Sequence, residues 1–148
     1  MSIPNNLLLQ IKLAVAIAVA DNKFSSSEEK SIKEWFEDKI QNNSAGQRSK
    51  LLKDLESEIS SLRELAKSGK LELELVFYEI NNIDDRPFKY DALDLSIEVM
   101  VADSTIHPNE VKLIDEIIQE LGLNESTAKK YIRKQILKMN KPPKDIDI

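Results

Sequence analysis

Residues 19–35, Val19-Ala-Asp-Asn-Lys-Phe-Ser-Ser-Ser-Glu-Glu-Lys-Ser-Ile-Lys-Glu-Trp35, lie over residues 101–117, Val101-Ala-Asp-Ser-Thr-Ile-His-Pro-Asn-Glu-Val-Lys-Leu-Ile-Asp-Glu-Ile117, without a gap at an offset of 82. Seven of the 17 positions are identical: Val19/Val101, Ala20/Ala102, Asp21/Asp103, Glu28/Glu110, Lys30/Lys112, Ile32/Ile114 and Glu34/Glu116. Phe24/Ile106 and Trp35/Ile117 keep apolar character, and each copy follows an apolar stretch, Leu13–Ala18 or Leu95–Met100. An internal repeat of this kind repeats a supersecondary unit, so both copies are expected to fold alike.

Each copy reads as a helix, a tight loop and a second helix. In the first, Ser25 stands at the N-cap with Glu28 three residues on, a capping box in which the glutamate reaches back to the N-cap amide. In the second, His107 takes the N-cap, Pro108 the first helical position and Glu110 the third. Ile106 and Val111 are placed to form a hydrophobic staple there, whereas the first copy sets Phe24 opposite Glu29.

Outward from the repeat, helix one is expected over Asn5–Ala20, with alanines that allow close packing on all sides, as a central helix needs. Helix two spans about Ser26–Gln41, with Ile32, Trp35, Phe36 and Ile40 on one face. Helix three runs to Lys67 with Leu51, Leu52, Leu55, Ile59, Leu62 and Leu65 at helical spacing. Leu71–Tyr78 alternates as a half-buried strand would, but a lone strand has no partner in this sequence, so it is assigned to a helix. Trp35, Phe77 and Tyr78 read as core or groove-lining residues. Pro87 marks a break before helix five, Phe88–Ala102. Helix six covers Pro108–Leu121 and stops at Gly122, and Asn124 caps helix seven, which runs to Met139.

The fold class is therefore all-α: a compact bundle of about seven helices with two pseudo-symmetric helix-loop-helix repeats. Residues 1–139 are expected to form one domain, and residues 140–148 a disordered tail, because Pro142-Pro143 cannot continue a helix. At 148 residues the chain can bury a core without covalent staples.

Composition narrows the chemistry. There is no cysteine, which excludes disulfides, thiolate zinc sites and thiol catalysis, and His107 is the single histidine. With only three glycines there is no phosphate-cradling loop, and no nucleophile–base pair is evident, so an enzyme is not expected. Residues 127–148 hold seven basic and two acidic residues, a net +5; since the whole chain is −5, residues 1–126 carry −10. An acidic body with a basic last helix does not suit nucleic acid, which demands a dominant positive face. Lys130, Lys134 and Lys138 fall at i, i+4 and i+8, opposite Ala128, Ile132, Ile136 and Met139. That stripe is either a solvated face or a docking surface for an acidic protein partner or an anionic membrane.

Leu7–Ala20 is almost wholly apolar and Ala18-Val19-Ala20 imitates a signal-peptidase site. Residues 1–6 carry no lysine or arginine, however, and 14 residues are too few to span a bilayer as a helix. Val19 and Ala20 also belong to the repeat. A retained core helix, no transmembrane segment and a cytoplasmic location are the expectation.

An apolar helix ending in Ala-Asp, a short loop, an apolar residue, three polar positions and a glutamate opening the next helix resembles the signature of the tellurite-resistance TerB family. Here it reads Ala20-Asp21…Phe24…Glu28 and Ala102-Asp103…Ile106…Glu110, and the resemblance extends over residues 5–139. It implies two pseudo-symmetric helical hairpins in one bundle, a cation-binding site built from their acidic residues, and a role in tellurite resistance and wider chemical stress. Asn22 and Ser104 stand where that family usually carries glycine, so the second loop in particular is expected to be shaped differently.

The four carboxylates also have a chemistry of their own. Asp21 and Asp103 follow helix C-termini, where the macrodipole disfavours an anion, and the placement occurs twice. If the two loops meet, Asp21, Glu28, Asp103 and Glu110 converge. Two carboxylates about 6 Å apart repel by roughly 3 kcal/mol at an effective dielectric near 20, so four together need a cation. All-oxygen ligation selects calcium, magnesium or manganese, while a nitrogen from His107 tilts the choice toward manganese or zinc. In the alternative reading the aspartates cap loop amides through Asx-turns, the glutamates only cap helices and His107 is a loop residue. An EF-hand is excluded, because Ile17 and Val19 stand where its first and third acidic ligands belong. The function expected is a non-enzymatic, TerB-like, divalent-cation-binding stress protein; the alternative is a metal-free helical adaptor. The oligomeric state is left open.

Overall fold

The computed structural model describes residues 3–20, 23–102 and 105–138, and every regular element among them is an α-helix. The order is α1 (Asn5–Val19), α2 (Ser26–Lys39), α3 (Ala45–Lys67), α4 (Leu73–Ile83), α5 (Arg86–Val101), α6 (Pro108–Glu120) and α7 (Glu125–Leu137). The all-α fold and the seven helices agree with the sequence reading. The boundary at 139/140 and the tail lie outside the described residues.

Two helices form the centre. On α1, Leu9, Ile11, Leu13, Ala14, Val15, Ala16, Ile17 and Ala18 are all buried, so the helix has no solvent face over its second half. It packs against α2, α3, α4, α5 and α6, most extensively against α5. Small residues on several faces let that many neighbours come near. On α5, Ala92, Leu93, Leu95, Ile97, Val99 and Met100 are buried, and the helix packs on α1, α2, α6 and α7. The apolar stretches preceding the two repeat copies are thus the two inner helices. No helix among the described residues is long and apolar enough to cross a membrane.

The outer helices are amphipathic and end where their capping residues dictate. Ile32, Phe36 and Ile40 face inward from α2, as do Leu51, Leu55, Ile59 and Leu62 from α3. Trp35 is half-buried, with the Lys39 ammonium 5.6 Å from its ring centroid. Gly69 and Gly122 adopt φ of +73° and +63°, and the Lys70 and Leu123 amides donate back to Leu65 and Ile118, closing Schellman turns after α3 and α6.

Four local readings need correction. Pro87 does not precede helix five but sits in its first turn. The helix starts at Arg86, Asp85 caps it by accepting from the Phe88 amide at 3.1 Å, and a first-turn proline forfeits no helical hydrogen bond. Leu65, at helical spacing with the other leucines of α3, does not share the burial of Leu51, Leu55 and Leu62: it is 40% exposed near the end of the helix. Tyr78 is likewise outward, 64% exposed, while its neighbour Phe77 is buried. Finally, α4 is a helix as assigned but is displaced to Leu73–Ile83, so the alternating leucines straddle its start and Leu75 points to solvent.

Candidate acidic loop site

The loops that follow α1 and α5 carry the predicted site. At the start of α2 the Ser25 amide donates to Glu28 Oε1 at 2.8 Å, and the Glu28 amide donates to Ser25 Oγ at 3.1 Å. At the start of α6 the His107 amide donates to Glu110 Oε1 at 2.9 Å. Both glutamates are buried, at 0% and 1% exposure, which is rare for a carboxylate and marks these two helix starts as alike. The local cause is the one read in the sequence: an orphan N-cap amide and the positive end of the helix dipole both favour an anion at the third helical position. Ile106 and Val111 both pack against the core.

Each helix start is also tied to a neighbouring element. Asn109 Nδ2, on the first turn of α6, donates to the carbonyl of Ala20, the C-cap residue of α1, at 3.3 Å. Residues 89 positions apart thereby join the second helix start to the first loop. Arg63 on α3 donates through Nη2 to the Phe24 carbonyl at 2.9 Å and lies 4.6 Å from the Phe24 ring centroid, clamping the first loop from the outside. Neither contact was read from the sequence. Asn109 had a faint signal as the counterpart of Ser27 in the repeat, whereas Arg63 is one cation on a helix with many.

Of the four predicted ligands, Glu28 and Glu110 stand at their helix starts as expected. Asp21 and Asp103 lie outside the described residues, together with Asn22 and Ser104 at the family's glycine positions. Both aspartates directly follow C-cap residues, Ala20 and Ala102. Among the described residues no three acidic or histidine side chains gather as metal ligands would.

A second acidic group was missed. Asp91, Asp94 and Glu98 run along α5 at i, i+3 and i+7. Buried Gln10 of α1 donates to Asp91 Oδ2 at 3.1 Å, where the Lys39 ammonium also sits at 2.9 Å. Gln135 of α7, also buried, donates to Asp94 Oδ1 at 3.1 Å and Glu98 Oε1 at 3.3 Å. Burial, reinforced by the charge of Asp94, raises the Glu98 carboxyl above the ordinary range; the Gln135 hydrogen bond and Lys138 only partly offset this. These carboxylates hold α1 and α7 onto α5 and are satisfied by amides and one lysine.

In this all-helical bundle each of the two inner helices is followed by a helix capped by a buried glutamate. The profile of the family described as tellurite resistance protein TerB matches residues 8–134, so the chain belongs to the TerB family. No curated protein and no solved structure gives a significant match.

Proposed function

We propose that the chain is a non-enzymatic stress protein of the tellurite-resistance type that binds a divalent cation between its two acidic loops. In this reading the hairpins α1–α2 and α5–α6 are related by pseudo-symmetry, and Asp21, Asp103, Glu28 and Glu110 supply the oxygens. The observation that carries it is the Asn109–Ala20 hydrogen bond, which joins the start of the second capped helix to the loop of the first. Membership of the TerB family supports the same assignment.

Calcium, magnesium and manganese are the ions such oxygens select. The test is a thermal melt of the purified chain in chelator and in each metal, for wild type and for Asp21→Asn/Asp103→Asn. A cation present at 100 times its Kd stabilises the folded state by about 2.7 kcal/mol. The expected result is a metal-dependent rise in wild type that the double variant loses, with the variant more stable than wild type in chelator. If neither metal nor chelator moves wild type, and the two substitutions destabilise additively by up to about 1 kcal/mol each, the aspartates are loop caps and the cation site is wrong.

A further inference from the structure

Large apolar side chains at the surface are few, and three of them lie on two helices whose charges are opposite in sign. On α4, Leu75 and Tyr78 are 48% and 64% exposed. They share a helical face with exposed Asn82, at i, i+3 and i+7. Glu74 borders that face beside Tyr78, and Glu79 borders it on the other side beside Leu75, each at i+4. The α4 surface is therefore an apolar strip between two acidic edges.

On α7 the arrangement is the converse. Leu137 is 81% exposed, the most of any large apolar side chain described. Lys129 and Arg133 line one side of it, and Lys130, Lys134 and Lys138 the other, all five exposed. At about 100° per residue Leu137 falls near the middle of the cationic arc. Among the described residues none of these five cations makes an ion pair, and neither do Glu74 and Glu79; the ion pairs are Lys30–Glu34, Lys33–Glu56 and Lys39–Asp91. Neither face is ion-paired among the described residues, Lys138 acting only at longer range on Glu98, and each carries the apolar centre and charged rim that association surfaces use.

We propose that a second copy of this chain covers each face: the α7 ridge of one copy docks on the α4 strip of the next, with Leu137 against Leu75 and Tyr78 and the basic edges along Glu74 and Glu79. The contact is heterologous, because the two surfaces differ, so it continues from copy to copy into a ring or an open chain. The charge complementarity of the two faces selects a second copy over an anionic bilayer, which would leave the α4 strip unpaired and meet a body carrying −10 over residues 1–126. It is independent of the cation site.

Sedimentation velocity across micromolar to near-millimolar concentration tests this, in chelator so that metal plays no part. Wild type is expected to associate with rising concentration, and less so as salt increases. Lys130→Glu/Lys134→Glu and Glu74→Lys/Glu79→Lys are each expected to weaken self-association at least tenfold, with unchanged helicity by circular dichroism. Mixing the two variants is the decisive arm. Each keeps one native face, so the mixture is expected to form a heterodimer; the two reversed faces are also opposite in charge, so larger alternating assemblies agree with the proposal as well. Three results overturn the proposal: a wild type that stays monomeric throughout, variants that associate like wild type, or a mixture in which the two variants do not associate. Binding of monomeric wild type to phosphatidylglycerol vesicles, lost in the α7 variant, would assign the ridge to a membrane and likewise overturn it.

Discussion

Replacing Glu110 by alanine probes the arrangement on which the fold and the site both depend. The side chain is 1% exposed and its Oε1 accepts the His107 amide at 2.9 Å. A hydrogen bond to a charged group contributes about 1.5–3 kcal/mol, and its removal here strands the N-cap amide. A carboxylate in the first turn gains a further ~0.3–1 kcal/mol from the helix dipole. Alanine returns little through helix propensity at this position, so the net loss is about 2–4 kcal/mol. For a chain of this length each kcal/mol lowers the melting temperature by roughly 3–4 °C, giving an expected fall of roughly 6–15 °C. Glutamine keeps an acceptor oxygen but not the charge, so Glu110→Gln is expected to fall between wild type and alanine. Melting followed by circular dichroism, with urea unfolding as a second readout, measures both variants. If Glu110→Ala melts within about a degree of wild type, or Glu110→Gln melts above it, the cap is not what holds this carboxylate in place.

Glu98→Gln is expected to act in the opposite direction. The raised carboxyl means that the folded chain holds the Glu98 proton more tightly than the unfolded chain does. Stability from this group is therefore fully present below the unfolded pKa and is lost as pH rises through the folded pKa. The glutamine variant should match wild type at acid pH and become the more stable of the two toward neutral pH, so its stability climbs more steeply with pH; urea midpoints at pH 4 to 8 decide it. Gly122→Ala and Gly46→Ala make a contrasting pair, since neither added methyl meets another atom within 4 Å but only Gly122 has positive φ, +63°. The first should destabilise by about 1–2 kcal/mol and the second stabilise by ~0.4–1 kcal/mol, so equal effects would contradict the backbone argument. Leu95→Ala, at a side chain 0% exposed on the inner helix α5, should cost about 2–5 kcal/mol by chemical denaturation.

The repeat was the readable part of this fold because its information is local. A serine or histidine, then a glutamate three residues on, specifies a helix start whatever the rest of the chain does, and both starts lie where that pattern places them. The apolar stretches before each copy were legible for the same reason, since a helix apolar on several faces has only the interior to occupy. Failures came where the deciding partner was remote or the pattern was ambiguous. Leu65 stands at helical spacing with Leu55 and Leu62, yet its burial depends on whether another helix reaches the end of α3. The leucines across the start of α4 alternate, but Leu75 is turned outward because Val76 and Phe77 take the inner face. Asn109 and Arg63 act across 89 and 39 residues, and their types alone do not announce it.

The helix dipoles divide the four candidate ligands into two kinds. Glu28 and Glu110 sit at helix N-termini, where a carboxylate is favoured and an amide is waiting for it, so their presence and burial are accounted for without any ion. Asp21 and Asp103 follow the C-caps Ala20 and Ala102, at the ends of the two innermost helices, where carbonyl groups already concentrate negative charge. The cation reading proposed above therefore rests on the aspartates. This is why the informative substitution removes the charges of Asp21 and Asp103 and leaves the capping pair untouched. A gain of stability in chelator then reports relieved repulsion, and its reversal by metal reports the ion that had been relieving it.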